Sequence, residues 1–167
     1  MKLAFYLASS GTLTDKLIAA YTFGPYSHVE MVFDDSARAL IPAGMVHAGD
    51  PGGALCYSST WAAPRDGCGF IDIALGSAWR TVDVPAVTPE QERAMVQMAV
   101  HDNGKPYDWA GIWGFVFPPV PDDRAERFCS EECTRLLERA GYLKRVEAVR
   151  TSPNRLARLI EKQGRIL

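Results

Sequence analysis

Three residues could do nucleophilic chemistry together. Cys129 stands at the start of a helical segment, and His28 and Glu30 lie roughly a hundred residues upstream, two positions apart. The run Phe128-Cys129-Ser130-Glu131-Glu132-Cys133-Thr134-Arg135-Leu136-Leu137-Glu138-Arg139-Ala140-Gly141 reads as one amphipathic helix. Leu136, Leu137 and Ala140 fall on its apolar side, and Gly141 stands at the stop. Cys129 would therefore sit where unpaired N–H groups and the positive end of the macrodipole stabilise a thiolate. Glu131 and Glu132 complement the same dipole but oppose thiolate formation, so an imidazolium must share the activation. His28 is the candidate.

Tyr26-Ser27-His28-Val29-Glu30-Met31-Val32-Phe33 has the β-branched and aromatic content of a strand, closed by Asp34-Asp35 as a turn. A side-chain period of two puts His28 and Glu30 on one face and Val29 and Met31 on the other. Glu30 could accept a hydrogen bond from one ring nitrogen and leave the other to take the Cys129 proton: a nucleophile, a base and an orienting carboxylate. The competing readings are plain. A cysteine in a helix is commonly a small buried apolar residue, which is how Cys133 reads. Glu30 could be a solvated residue on the open face of an antiparallel sheet. His47 and His101 read as loop or helix-end histidines.

The order His28 then Cys129 resembles the circularly permuted papain-like branch of the NlpC superfamily. Its relatives include bacterial cell-wall amidases and peptidases and the lecithin:retinol acyltransferase group, and the likeness is greatest to phage and bacterial members with a Ser-His-Val-Glu strand. The matching pieces are Tyr26-Ser27-His28-Val29-Glu30, Tyr57-Ser58-Ser59, Gly104-Lys105-Pro106-Tyr107-Asp108-Trp109 and Phe128-Cys129-Ser130-Glu131. The resemblance implies a permuted papain-like α+β domain, with an antiparallel sheet packed against helices. It also implies Cys129 as nucleophile, His28 as general base and Glu30 as third polar residue. Tyr107, matching the family's Gly-x-x-Tyr stretch, is the candidate oxyanion donor, with Tyr26 as a further oxyanion or substrate-binding residue. The chain departs from the family in a long Trp-, Phe- and Pro-rich insert, Ile112 to Arg127.

The implied reaction is hydrolysis of amide or peptide bonds, such as those of cell-wall peptides, through a thioester. A lipid acyltransferase or esterase of the same fold is the alternative, and a non-catalytic binding or phage structural module is a third. The expected partner is a peptide or an acyl-containing small molecule. No cofactor is implied; the oligomeric state is left open.

The rest of the chain must position these groups. At 167 residues it is long enough for one core and short for two, so residues 1–167 read as a single domain. A net charge of −2 and scattered basic residues give no stripe for nucleic acid, and the late Arg and Lys residues read as the wet face of a terminal helix. Cys56, Cys68, Cys129 and Cys133 lack the paired spacing of a zinc site, so free thiols and no metal are expected. Met1 to Ala8 reads as the first core strand rather than a leader, and no apolar run approaches a membrane span; a cytoplasmic protein is expected.

A helix is predicted over Thr14 to Phe23, capped near Thr12 or Thr14 and ended by Gly24-Pro25. Ala43 to Gly53 reads as a surface loop without a phosphate-binding pattern. Strands are predicted around Ala54 to Ser58, Gly69 to Ala74 and Trp79 to Val84 as an antiparallel meander. Thr88-Pro89-Glu90-Gln91 carries a cap, a first-turn proline and a capping-box partner, opening a helix that runs to Gly104. Pro118 to Asp123 reads as an extended segment beside the cleft. Trp109, Trp113, Phe115 and Phe117 read as core aromatics, with an apolar substrate wall as the alternative.

Overall fold

The computed structural model describes residues 1–85, 87–108 and 127–164. The expectations for Trp109, Trp113, Phe115, Phe117 and Pro118 to Asp123, and all of the Ile112 to Arg127 insert except Arg127 itself, lie outside the described residues. The fold is α+β. Its strands are β1 (Lys2–Leu7), β2 (Tyr26–Val32), β3 (Val46–His47), β4 (Ala54–Thr60), β5 (Gly67–Ile73) and β6 (Trp79–Asp83). Its α-helices are α1 (Leu13–Tyr21), α2 (Pro89–Asp102), α3 (Cys129–Arg139) and α4 (Pro153–Gly164).

The strands form one sheet in the order β3-β5-β4-β2-β1-β6. Alternation along each strand divides the apolar residues between two faces. Leu3, Phe5, Val29, Met31, Leu55, Tyr57 and Phe70 join Met95 and Val96 of α2, Leu136 and Leu137 of α3, and Leu156 and Ile160 of α4 in the main core. Ala4, Val32, Cys56 and Ile71 form a smaller cluster, with Trp79 packed against it.

Two details correct the expected sheet. The strands at 54–60 and 67–73 do form an antiparallel hairpin, but β6 crosses to the far edge and pairs antiparallel with β1, Leu3 opposite Val82. The meander is therefore broken, because the β1 edge was open to pairing and β6 closes it. The sheet is also mixed: Val46 and His47, inside the expected surface loop, pair parallel with Phe70 and Ile71.

Helix limits follow local chemistry. Thr12 and Asp15 form a reciprocal capping box on α1, and Thr88 and Gln91 form the same device on α2 with Pro89 at its start. Gly141 ends α3 at φ 75°, where a side chain would be strained, and its N–H donates to the Glu138 carbonyl. Gly67 has φ 99°, and an added Cβ would collide with the Lys105 carbonyl. Its absence lets the 104–105 backbone lie on β5, where Cys68 N–H donates to Lys105 O (2.8 Å) and Gly104 N–H donates to Cys68 O (2.8 Å).

Candidate functional site

β2 carries the site because its pairing changes along its length. Toward its C-terminal end, Met31 and Val32 pair with Tyr57 and Cys56 of β4. Nearer the N-terminal end the Val29 carbonyl accepts instead from the Ser58 hydroxyl (2.7 Å), so the two strands part there. The chain entering α3 is fixed beside this opening. Ser59 Oγ donates to the Arg127 carbonyl (2.7 Å), and Arg127 N–H donates to Pro106 O (3.0 Å). Cys129 is thereby delivered to the His28 end of β2, although α3 packs on the opposite side of the strand from the small cluster.

His28 and Cys129 are brought into hydrogen-bonding contact, and the other side of the ring is held by Glu30, with His28 Nε2 to Glu30 Oε1 at 2.7 Å. Nδ1 is the ring nitrogen left for sulfur. Burial by itself would lower the His28 pKa; the charge and hydrogen bond of Cys129, followed by those of Glu30, outweigh it and hold the ring up at about 10. Trp79 packs edge-on to the ring, centroids 6.2 Å apart.

Glu30 is not solvated. It is wholly buried, and its carboxylate is gripped by Arg65, whose Nη1 donates to Oε2 (2.9 Å) and whose Nη2 donates to Oε1. Arg65 Nη1 also donates to the Gly69 carbonyl (3.1 Å). Burial would raise the Glu30 pKa, but the Arg65 charge and the His28 and Arg65 hydrogen bonds bring it down to about 2. Sequence reasoning missed Arg65. Its partner is 35 positions away, and no motif surrounds it.

Glu131 and Glu132 are also wholly buried, which changes their expected effect on the thiol. Glu131 is bound by Arg135 Nε (2.8 Å). Glu132 accepts from the Tyr57 hydroxyl (3.1 Å), and burial followed by the Asp102 charge pushes its pKa up to about 7.

Tyr107 is buried beside the site, its ring edge-on to Trp61 at 5.1 Å. Burial pushes its pKa well up, and the charges of Cys129, Asp108 and Asp15 add to the rise, so the phenol stays protonated and able to donate. Tyr26 departs from the expectation. Tyr6 opposes His28 while Leu7 opposes Tyr26, leaving Ser27 as an extra residue on β2. This bulge turns Tyr26 into the main core against Phe5, centroids 5.1 Å apart, and Tyr26 does not line the cavity beside His28. Ser27 takes that place and donates to Asp15 Oδ1 (2.8 Å).

The cavity is about 460 Å³ and is walled by His28, Glu30, Asp15, Trp61, Arg65 and Trp79, among others. Cys133 packs in the core as expected. His101 lies in the last turn of α2, and His47 lies on β3 rather than in a loop. All four cysteines are free thiols. Among the described residues no cluster of His, Cys, Asp or Glu is arranged to hold a metal ion, and no helix is long and apolar enough to cross a membrane. No protein-family model matches the chain, and no curated protein matches it significantly.

Proposed function

We propose that the chain is a cysteine-dependent hydrolase of amide or peptide bonds, with cell-wall-type peptides as the first substrate class, built on a permuted papain-like fold of the NlpC type. One observation carries the reading: the Cys129 thiol at the start of α3 bonds to a His28 ring whose other nitrogen is fixed by the buried Glu30. Cys129 thiolate attacks the amide carbon, and the carbonyl electrons move to oxygen. Backbone N–H groups at the helix start and the Tyr107 phenol stabilise that oxyanion. The tetrahedral intermediate collapses as protonated His28 gives its proton to the departing amine, leaving an acyl-thioester on Cys129. Neutral His28 then takes a proton from water, whose oxygen attacks the thioester, releasing the acid and restoring the thiolate–imidazolium pair.

A lipid ester or acyl-chain substrate is the second reading. Its support is the exposed Leu13, Leu17 and Tyr21 on α1, the helix whose first turn borders the cavity. The test is a screen of peptide amides and acyl esters against wild type and Cys129→Ala. Turnover of amides lost in the variant supports the first reading, and turnover of esters alone supports the second. No turnover by wild type of either class, with Cys129 inert to thiol probes, leaves a non-catalytic binding or phage structural module.

A further inference from the structure

The amide hydrolysis proposed for Cys129 does not use the exposed face of α1. Leu13 (73 % exposed), Leu17 (57 %) and Tyr21 (51 %) recur every four residues and make one apolar ridge along the helix. Phe23 extends it. It is 87 % exposed and sits at φ 53°, a conformation that costs a non-glycine residue energy, just where the helix ends. The ridge is bordered by cations. Lys16 flanks it on α1, and Arg158 on α4 reaches across to the Phe23 carbonyl (3.5 Å). Arg155, Arg158 and Lys162 follow the exposed side of α4 at helical spacing. None of these four cations is paired with a carboxylate among the described residues.

We infer that this face docks the protein on an anionic lipid surface, with the α1 ridge and Phe23 entering the headgroup layer and the α4 cations meeting lipid phosphates. Exposed apolar residues beside unpaired cations are what an anionic interface rewards. The four highly exposed apolar side chains and the unpaired cations beside them match the apolar and anionic layers of such a surface. The inference does not depend on the reaction proposed for Cys129.

Full-length protein is mixed with vesicles of phosphatidylcholine alone, or of phosphatidylcholine with about a third phosphatidylglycerol, and binding is read by flotation. Binding should appear with the anionic vesicles and fall with added salt. Leu17→Ser with Phe23→Asn, the asparagine keeping the left-handed backbone, should cut the partition about tenfold or more through the lost apolar contact. Arg158→Glu and Lys162→Glu should each cut it about fivefold or more. Circular dichroism and light scattering on each variant check fold and oligomeric state. Equal binding to both vesicle types, no binding to either, or undiminished binding by the Leu17/Phe23 variant would overturn the inference. So would a wild-type dimer that those substitutions dissociate, which would assign the ridge to a second copy of the chain.

Discussion

Replacing Arg65 by Met strips a buried carboxylate of its cation while keeping much of the side-chain volume. Glu30 is 0 % exposed and Arg65 is 6 % exposed, so water cannot take over the lost hydrogen bonds. Breaking a buried pair from one side typically costs about 3–5 kcal/mol. For a chain of this size each kcal/mol moves Tm by roughly 2–4 °C, so Arg65→Met should melt about 6–20 °C lower. The pH dependence has a definite sign. A depressed carboxylate pKa contributes stability that is present above about 4.5, the unfolded value, and disappears as pH falls through about 2. Wild type should lose that contribution between these limits, and Arg65→Met should lose most of the slope. The assay is thermal unfolding by circular dichroism from pH 2 to 7, with Glu30→Gln/Arg65→Met as the partner variant. The double variant should melt above Arg65→Met, because no buried charge is stranded. If Arg65→Met melts within about 2 °C of wild type and keeps the acid slope, the Glu30–Arg65 pair does not have the role assigned here.

In Cys129→Ala the His28 ring should titrate clearly below about 10, read by NMR of the imidazole protons, because its largest supporting interactions are gone. The raised His28 pKa stabilises the fold fully below 6.5 and ceases to do so as pH rises through about 10; in the variant that decline should begin at lower pH. Glu30→Gln should keep measurable turnover while Cys129→Ala has none, and an unchanged Glu30→Gln rate across pH would remove Glu30 from the mechanism. Tyr107→Phe should lower kcat by about 10²–10³ with little change in KM if the phenol donates to the oxyanion, and a KM effect alone would assign it to binding. Thr88→Ala, which removes the α2 cap, should cost about 1 kcal/mol in a urea melt without affecting turnover.

Features that depend on neighbours in sequence were legible. Thr88, Pro89 and Gln91 specify a helix start within four positions, Gly141 specifies a stop, and period-two alternation puts His28 and Glu30 on one face of β2. Features set by distant contacts were not. The Ser27 bulge, which sends Tyr26 into the core, arises from how β2 meets β1 and leaves no mark in Tyr-Ser-His. β6 joins β1 because that edge was open, and nothing within Trp79–Asp83 selects it over β5. Arg65 sits among turn residues with its partner across the sheet, and the burial of Glu131 and Glu132 reverses the exposure that charged residues usually signal.

The central claim is that His28 activates Cys129, and the rate of alkylation of each cysteine, followed by peptide mapping with a small haloacetamide at neutral pH, tests it most directly. Exposure does not separate the four thiols: Cys56 and Cys133 are 0 % exposed, Cys129 2 % and Cys68 3 %. Chemistry does. Burial pushes the pKa of Cys56 and Cys133 far up and that of Cys68 up to about 12, whereas Cys129 is hydrogen-bonded to the His28 ring. Cys129 should be alkylated far faster than the other three in wild type, and His28→Ala should remove most of that advantage while the protein stays folded. Equal, slow labelling of all four thiols, or a Cys129 rate unchanged in His28→Ala, would contradict the account.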